Sequence, residues 1–129
     1  LALSACGAAD APEVDAKVLA AMGASSSAGG VDAAAIINAD ANPGEWLTHG
    51  RTYSEQRFSP LAGVTRENVK ELGLAWSFDL GVSRGIETTP IVRDGLMYVT
   101  ASWNVVHALD ARSGAPLWSF DPEVDRSRA

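Results

Sequence analysis

The chain has 129 residues, 47% of them hydrophobic, with a formal net charge of −6 and a sequence pI of about 4.7. An acidic chain without basic clusters has no electrostatic footprint for nucleic acid, and no run of 18 apolar residues is present to make a complete membrane span. One cysteine cannot close an internal disulfide, and the haem-attachment pattern Cys-x-x-Cys-His does not occur.

Taken in chain order, residues 1–7 read as the tail of a signal peptide. Leu3-Ser4-Ala5-Cys6 resembles the bacterial lipobox: small residues suit a narrow peptidase subsite, and the cysteine becomes the acylated end. Two or more acyl chains on Cys6 would anchor the protein stably, where one chain is marginal. The alternative is a lone thiol in a signal tail that an ordinary peptidase removes. Residues 8–37 form a tether rich in Ala, Ser and Gly, with a short helix expected at 14–22 and a flexible tract at 23–30. Asp32 is placed to cap a helix over 33–41, which Asn42-Pro43-Gly44 stops. Residues 45–61 hold Trp46, Tyr53 and Phe58 without a strict period, as in an ordered loop. A short helix is expected at 64–72, with Thr65 as its cap and Gly73 as its stop. Residues 74–80 read as a strand.

The stretch 89–121 reads as three or four short antiparallel strands. Asp94-Gly95 between apolar runs is a hairpin signal. Residues 96–100 form a compact run of β formers, Ser102 and Asn104 flank Trp103 in a connection, and residues 105–110 and 116–120 supply the next strands. Pro116 cannot donate to a ladder, so it fits a strand start or an outer edge. Trp-Ser-Phe-Asp occurs at 76–79 and again at 118–121, an offset of 42 residues. One four-stranded propeller blade repeats at roughly 40–45 residues. The expected class is therefore all-β, with stacked sheet modules, because one blade cannot bury both of its faces. The chain does not begin with Met and holds little more than one blade, so it reads as a fragment.

Several motifs then resemble a known family. Residues 46–60, Trp-Leu-Thr-His-Gly-Arg-Thr-Tyr-Ser-Glu-Gln-Arg-Phe-Ser-Pro, resemble the amino-terminal signature of quinoprotein alcohol dehydrogenases, the methanol/ethanol-type enzymes that use pyrroloquinoline quinone (PQQ). The resemblance continues through Asn68-Val69, Ala75-Trp76, the run Arg-Gly-Ile-Glu-Thr-Thr-Pro at 84–90, and Asp-Gly-Leu-Met-Tyr-Val at 94–99. The stretch 108–118 resembles the tryptophan-docking motif Ala-x-Asp-x-x-Thr-Gly-x-x-x-Trp, with Ser113 keeping the hydroxyl of the usual Thr. On the residues alone, Asp110 accepts turn amides, Gly114 supplies an unusual φ, and Trp118 is a wedge between blades.

The resemblance covers about residues 38–129 and implies an eight-bladed β-propeller, of which the first blade and part of the closing blade are present. It implies a periplasmic enzyme, free or anchored through Cys6, that oxidises primary alcohols to aldehydes. It further implies PQQ on a calcium or lanthanide ion, with electrons passed to a cytochrome c, separate or fused as a later haem c domain. The family's catalytic Asp, ion ligands, vicinal-cysteine disulfide and cofactor-stacking Trp fall later in such chains, so no catalytic or metal residue is assigned. One residue carries over: Glu87, in Arg-Gly-Ile-Glu-Thr-Thr-Pro, matches the family glutamate that hydrogen-bonds PQQ. The bland reading of Glu87 is a solvated loop carboxylate.

Other candidates read as structural. Arg84 is a surface or ion-pair arginine, His49 a hydrogen-bonded histidine without a second metal ligand, and His107 a core-edge residue on a strand. Trp103 either lines the funnel or packs between blades. Asp79 and Asp121 recur at equivalent repeat positions, which favours turns over chemistry. No nucleophile elbow, phosphate loop, zinc signature or Rossmann fingerprint occurs. The rival function is a non-enzymatic lipoprotein with PQQ-like repeats that serves as an outer-membrane assembly scaffold. Such proteins lack the 46–60 signature and the Arg-Gly-x-Glu run.

Overall fold

The structure, a computed structural model, describes residues 31–128. Cys6, the tether's expected helix at 14–22 and its flexible tract lie outside the described residues.

Asp32 caps the first helix, α1 (Ala33–Ile37), through a 2.7 Å bond from the Ala35 amide to its Oδ1. The helix is shorter than the expected 33–41. At Asn38 both the backbone N–H and the side-chain amide turn back to the Ala34 carbonyl, the latter at 2.9 Å. Such a local side-chain bond competes with helical propagation, and the chain tightens into a 3₁₀ turn over Ala39–Ala41. The helix expected at 64–72 is likewise reduced. Thr65 Oγ1 accepts the Glu67 amide at 3.2 Å, but only the 3₁₀ turn Val69–Glu71 follows. Val69 and Leu72 are 50% and 64% exposed, so no buried face stabilises a longer helix.

The centre of the fold is a four-stranded antiparallel sheet in chain order: β1 (Ile91–Arg93), β2 (Leu96–Thr100), β3 (Val106–Asp110) and β4 (Pro116–Phe120). Asp94 and Gly95 both take positive φ, 51° and 78°, as the tight turn joining β1 to β2 demands. Pro116 opens the edge strand β4, where its missing N–H costs no ladder bond. The ladder shifts between Ala108 and Leu109: Ala108 pairs with Trp118 and Leu109 with Pro116, leaving Leu117 as a bulge. Trp46 adds an isolated bridge to Val92 through two backbone bonds of 2.9 Å, which seats the 45–58 segment against β1.

Residues 74–80 do not form the expected strand. They run without a ladder partner among the described residues and are held by side chains instead. Trp76, Phe78 and Leu80 lie over Met97, Val99 and Leu109 and enclose an apolar cleft of about 140 Å3. The alternation that suggested a strand is real, because Trp76, Phe78 and Leu80 share one face, but their partner is a sheet face rather than a strand edge. Phe78 meets His107 edge-on at 5.5 Å between ring centres. Leu96, Val99, Ala101, Ala108 and Leu109 make the buried apolar centre of the sheet.

Candidate functional site

Two ends of the sheet carry different machinery. At the end where β1 meets β2 and β3 meets β4, local turn chemistry dominates. Asp110 Oδ1 accepts the Ser113 amide at 2.7 Å, the Ser113 hydroxyl at 2.8 Å and the Arg112 amide at 3.0 Å. These donors, the Ser113 hydroxyl first, hold the Asp110 carboxyl below the ordinary carboxylate range. Gly114 follows at φ 73°. The indole of Trp76 lies directly against Gly114: a Cβ added there would sit 2.5 Å from Trp76 Cδ2 and 2.9 Å from Cγ. Trp118 is half-buried beside Tyr98, with ring centres 6.0 Å apart.

At the other end, residues 84–89 form a strap that leads into β1 and passes the connection between β2 and β3. Thr100 Oγ1 donates to Thr88 Oγ1 at 3.0 Å. Ser102 Oγ donates to the Gly85 carbonyl at 3.4 Å. The Arg84 guanidinium carbon stands 4.8 Å from the centre of the Trp103 ring, and that of Arg126 stands 5.9 Å from it. Trp103 itself is at φ 67°, and Asn104 is at φ 60°. Asn tolerates that region, but a bulky residue there costs on the order of 1–2 kcal/mol.

The strap is also fastened from the amino-terminal side. His49 Nδ1 and Thr89 Oγ1 are 2.9 Å apart, and Arg57 bonds His49 Nε2. A guanidinium only donates, so Nε2 accepts and Nδ1 carries the proton that goes to Thr89. Within this fastened strap Glu87 is exposed, and its carboxylate makes no hydrogen bond or ion pair among the described residues. Arg84 has no carboxylate at ion-pair distance among the described residues. It is exposed, as a surface arginine is expected to be, and its contact is with the Trp103 ring rather than an ion pair. Trp103 is half-buried with its ring against Arg84, a contact compatible with either expected place, lining a funnel or packing between blades.

The sequence-named positions therefore fall into two separate groups, Glu87 on the strap and Asp110, Gly114 and Trp118 around β3 and β4. Sequence reading missed Thr88, Thr100, Ser102 and Trp103 as a cluster, since nothing in their spacing announces contacts between separate segments. Among the described residues, no three His, Cys, Asp or Glu side chains converge to hold a metal ion.

The family model described as "PQQ: Glucose/ethanol/alcohol dehydrogenase, beta-propeller domain" matches residues 46–129. The chain belongs to this family. It is 64% identical over 85 residues to the 1-butanol dehydrogenase (cytochrome c) of Thauera butanivorans, covering 66% of this chain and 12% of that one. Among solved structures it superposes on quinohemoprotein alcohol dehydrogenase ADHIIG from Pseudomonas putida HK5 with a TM-score of 0.73. That match has 56% identity and covers 76% of this chain and 14% of the other. A europium-containing methanol dehydrogenase gives a TM-score of 0.64 at 36% identity, with 72% of this chain and 16% of that one covered. The chain thus spans about one seventh of the length of the relatives it matches.

The matched segment of this PQQ propeller family includes the strap, β1 to β4 and both turn regions. The polar groups of the strap suit PQQ, a planar quinone bearing several carboxylates and a ring N–H. The Arg84 guanidinium and the Thr88 and Thr89 hydroxyls can donate to its oxygens, and the Glu87 carboxylate, uncommitted among the described residues, can accept from its N–H.

Proposed function

We propose that the full-length protein oxidises primary alcohols to aldehydes with PQQ, and that this chain supplies one wall of the cofactor site through Glu87. The observation that carries this reading is the Glu87 carboxylate. It is exposed and unpaired among the described residues, on a strap fastened on either side of it at Gly85, Thr88 and Thr89, inside the segment that the PQQ propeller family matches. An unpaired acceptor on a held backbone is preorganised for a ligand's donor, because little ordering remains to oppose binding.

When bound, PQQ supplies a two-electron acceptor for the alcohol. Glu87 would hold the cofactor by a charge-assisted hydrogen bond. The His49–Thr89 and Thr100–Thr88 bonds would keep Glu87 in register with β1. Arg84, three residues before Glu87, sets a positive charge on the same strap, favourable to an anionic cofactor. A calcium or lanthanide ion belongs to the proposal, with its oxygen ligands supplied by residues other than these. A cytochrome c, separate or fused, is proposed as the electron acceptor; the Thauera relative is named for that partner. We place the protein in the periplasm, with Cys6 as its acylated anchor; the Leu3-Ser4-Ala5-Cys6 run supports this.

The test is Glu87→Ala in the full-length protein, read by equilibrium titration of the apoprotein with PQQ. Loss of one hydrogen bond to a charged group is worth about 1.5–3 kcal/mol, so binding should weaken roughly 10- to 100-fold. Wild-type cofactor affinity together with a wild-type rate would refute the assignment.

A further inference from the structure

The contacts between the strap and the β2–β3 connection follow a pattern. Arg84 meets Trp103, Gly85 meets Ser102, and Thr88 meets Thr100. As the number rises along the strap it falls along the partner, so the two segments run antiparallel, joined by side chains where a sheet would use backbone. Between the last two contacts the strap has Ile86 and Glu87, while the partner side has only Ala101. Two strap residues thus span what one residue spans on the partner side, which gives the strap slack to bow outward, as the longer side does in a bulge. Ala101 is buried, while Ile86 and Glu87 are exposed. Glu87 therefore sits on the crest of a bow whose shape is set by the contacts on either side of it.

Trp103 makes the first of those contacts in a backbone conformation that suits Gly or Asn far better than Trp. Its indole N–H makes no hydrogen bond among the described residues, so what the ring offers at this site is its face. Arg126 reaches toward the same ring while its charge is matched by Asp121 at 2.5 Å. Arg84 has no such carboxylate among the described residues, and its contact there is the ring.

We infer that Trp103 is a positioning residue for the cofactor: its ring holds Arg84, closes the amino-terminal side of the bow, and so fixes where Glu87 presents its carboxylate. The inference rests on the reading of Glu87 as a PQQ-binding group.

The experiment uses the full-length protein in its apo form. Amide hydrogen exchange across residues 82–90 reports the strap without any cofactor, and titration with PQQ reports the site. Trp103→Gly removes the ring while relieving the left-handed backbone, so a residue needed only for its turn would tolerate it. Trp103→Phe keeps an aromatic face, and Arg84→Met removes the cation but keeps the stem. Trp103→Gly and Arg84→Met should each speed exchange in 82–90, leave β1 to β4 protected, and weaken PQQ about tenfold, less than direct loss of the charged acceptor. Trp103→Phe should restore both readouts. In a Glu87→Gln background, Trp103→Gly should add little further loss, because it acts through Glu87.

Unchanged exchange in Trp103→Gly overturns the inference, as does a fully additive loss in the double variant. Should Trp103→Gly unprotect the whole sheet, Arg84→Met with a folded sheet decides by the same two readouts. A Glu87→Gln protein that binds PQQ as the wild type does would refute the Glu87 reading itself. The strap exchange then judges the clamp separately: faster exchange supports it, and unchanged exchange overturns it.

Discussion

The contact between Trp76 and Gly114 gives the sharpest prediction about stability. Gly114→Ala incurs two separable costs. At φ 73° any L side chain is strained, by on the order of 1–2 kcal/mol. The new Cβ would also sit 2.5 Å from Trp76 Cδ2, so the indole or the turn must move, a packing cost of about 1–3 kcal/mol. Together the expected loss is roughly 2–5 kcal/mol. The two terms separate by background. In Trp76→Ala protein the overlap is gone, and Gly114→Ala should cost only about 1–2 kcal/mol. Gly114→Asn tests the converse, since Asn accepts the left-handed region yet still carries a Cβ into the ring. Native-state hydrogen exchange at β3 and β4 amides in the full-length protein suits the measurement, because a large multi-module protein has no single unfolding free energy. An equal cost of Gly114→Ala with and without the Trp76 indole would refute the argument, because it would mean that the ring does not rest on this glycine.

Two further predictions concern charge. The Asp110 carboxyl is held low by its bonds in the folded state, chiefly that from Ser113, so its contribution is complete above the unfolded value of about 3.9 and is lost as pH falls through the lowered folded value. Asp110→Asn should therefore destabilise at neutral pH, with the gap to wild type narrowing below about pH 4; exchange protection of β3 and β4 amides at neutral and acid pH, compared between the two proteins, checks it. Arg51 is 3% exposed, and its guanidinium donates to Asp40 Oδ1 at 2.8 Å and to the Ala39 carbonyl at 2.9 Å. A lysine ammonium cannot span that fork, so Arg51→Lys should lower stability by about 1–3 kcal/mol, read as lost exchange protection near Trp46 and Val92.

How much was legible in the sequence depended on the range of the interaction. Asp94-Gly95, the Asp110-Ser113-Gly114 turn and the start of β4 at Pro116 are specified by neighbours in the chain, and all four strands lie where their apolar runs and turn residues placed them. The exposed helices were overdrawn because propensity and caps promised more than burial delivered at Val69 and Leu72. Residues 74–80 carried a genuine alternation, yet a strand also needs an edge to pair with, and that requirement is not written locally. The strap was the least legible part. Its hydrogen bonds join residues 40, 17 and 12 positions apart, and no period or motif links His49 to Thr89 or Ser102 to Gly85. Glu87 was reachable only because a resemblance named it; the residues that hold its strap were not.

The same contrast divides labour within the blade. Thr100 pairs with Val106 and Val106 with Phe120 at the end next to the strap, whereas Arg93 pairs with Leu96 and Leu96 with Asp110 at the far end. The far end is tight and self-specified: the Ala111 amide donates to the Gly95 carbonyl at 2.8 Å, tying its two turns together, and Trp76 covers the second of them. The near end is assembled from segments that meet through side-chain contacts rather than a backbone ladder, and there the carboxylate of the strap, uncommitted among the described residues, is displayed. A rigid frame at one end and a cross-braced loop at the other is how scaffolds present ligand-binding groups without loosening their cores. Substitutions should therefore sort by end. Changes at Gly114 or Asp110 should move stability while leaving cofactor affinity nearly intact, and changes at Arg84 or Trp103 should move cofactor affinity while leaving β2 and β3 protected. A cofactor defect in Gly114→Ala as large as that in Trp103→Gly would mean that the two ends are mechanically coupled through the strands, contrary to this division.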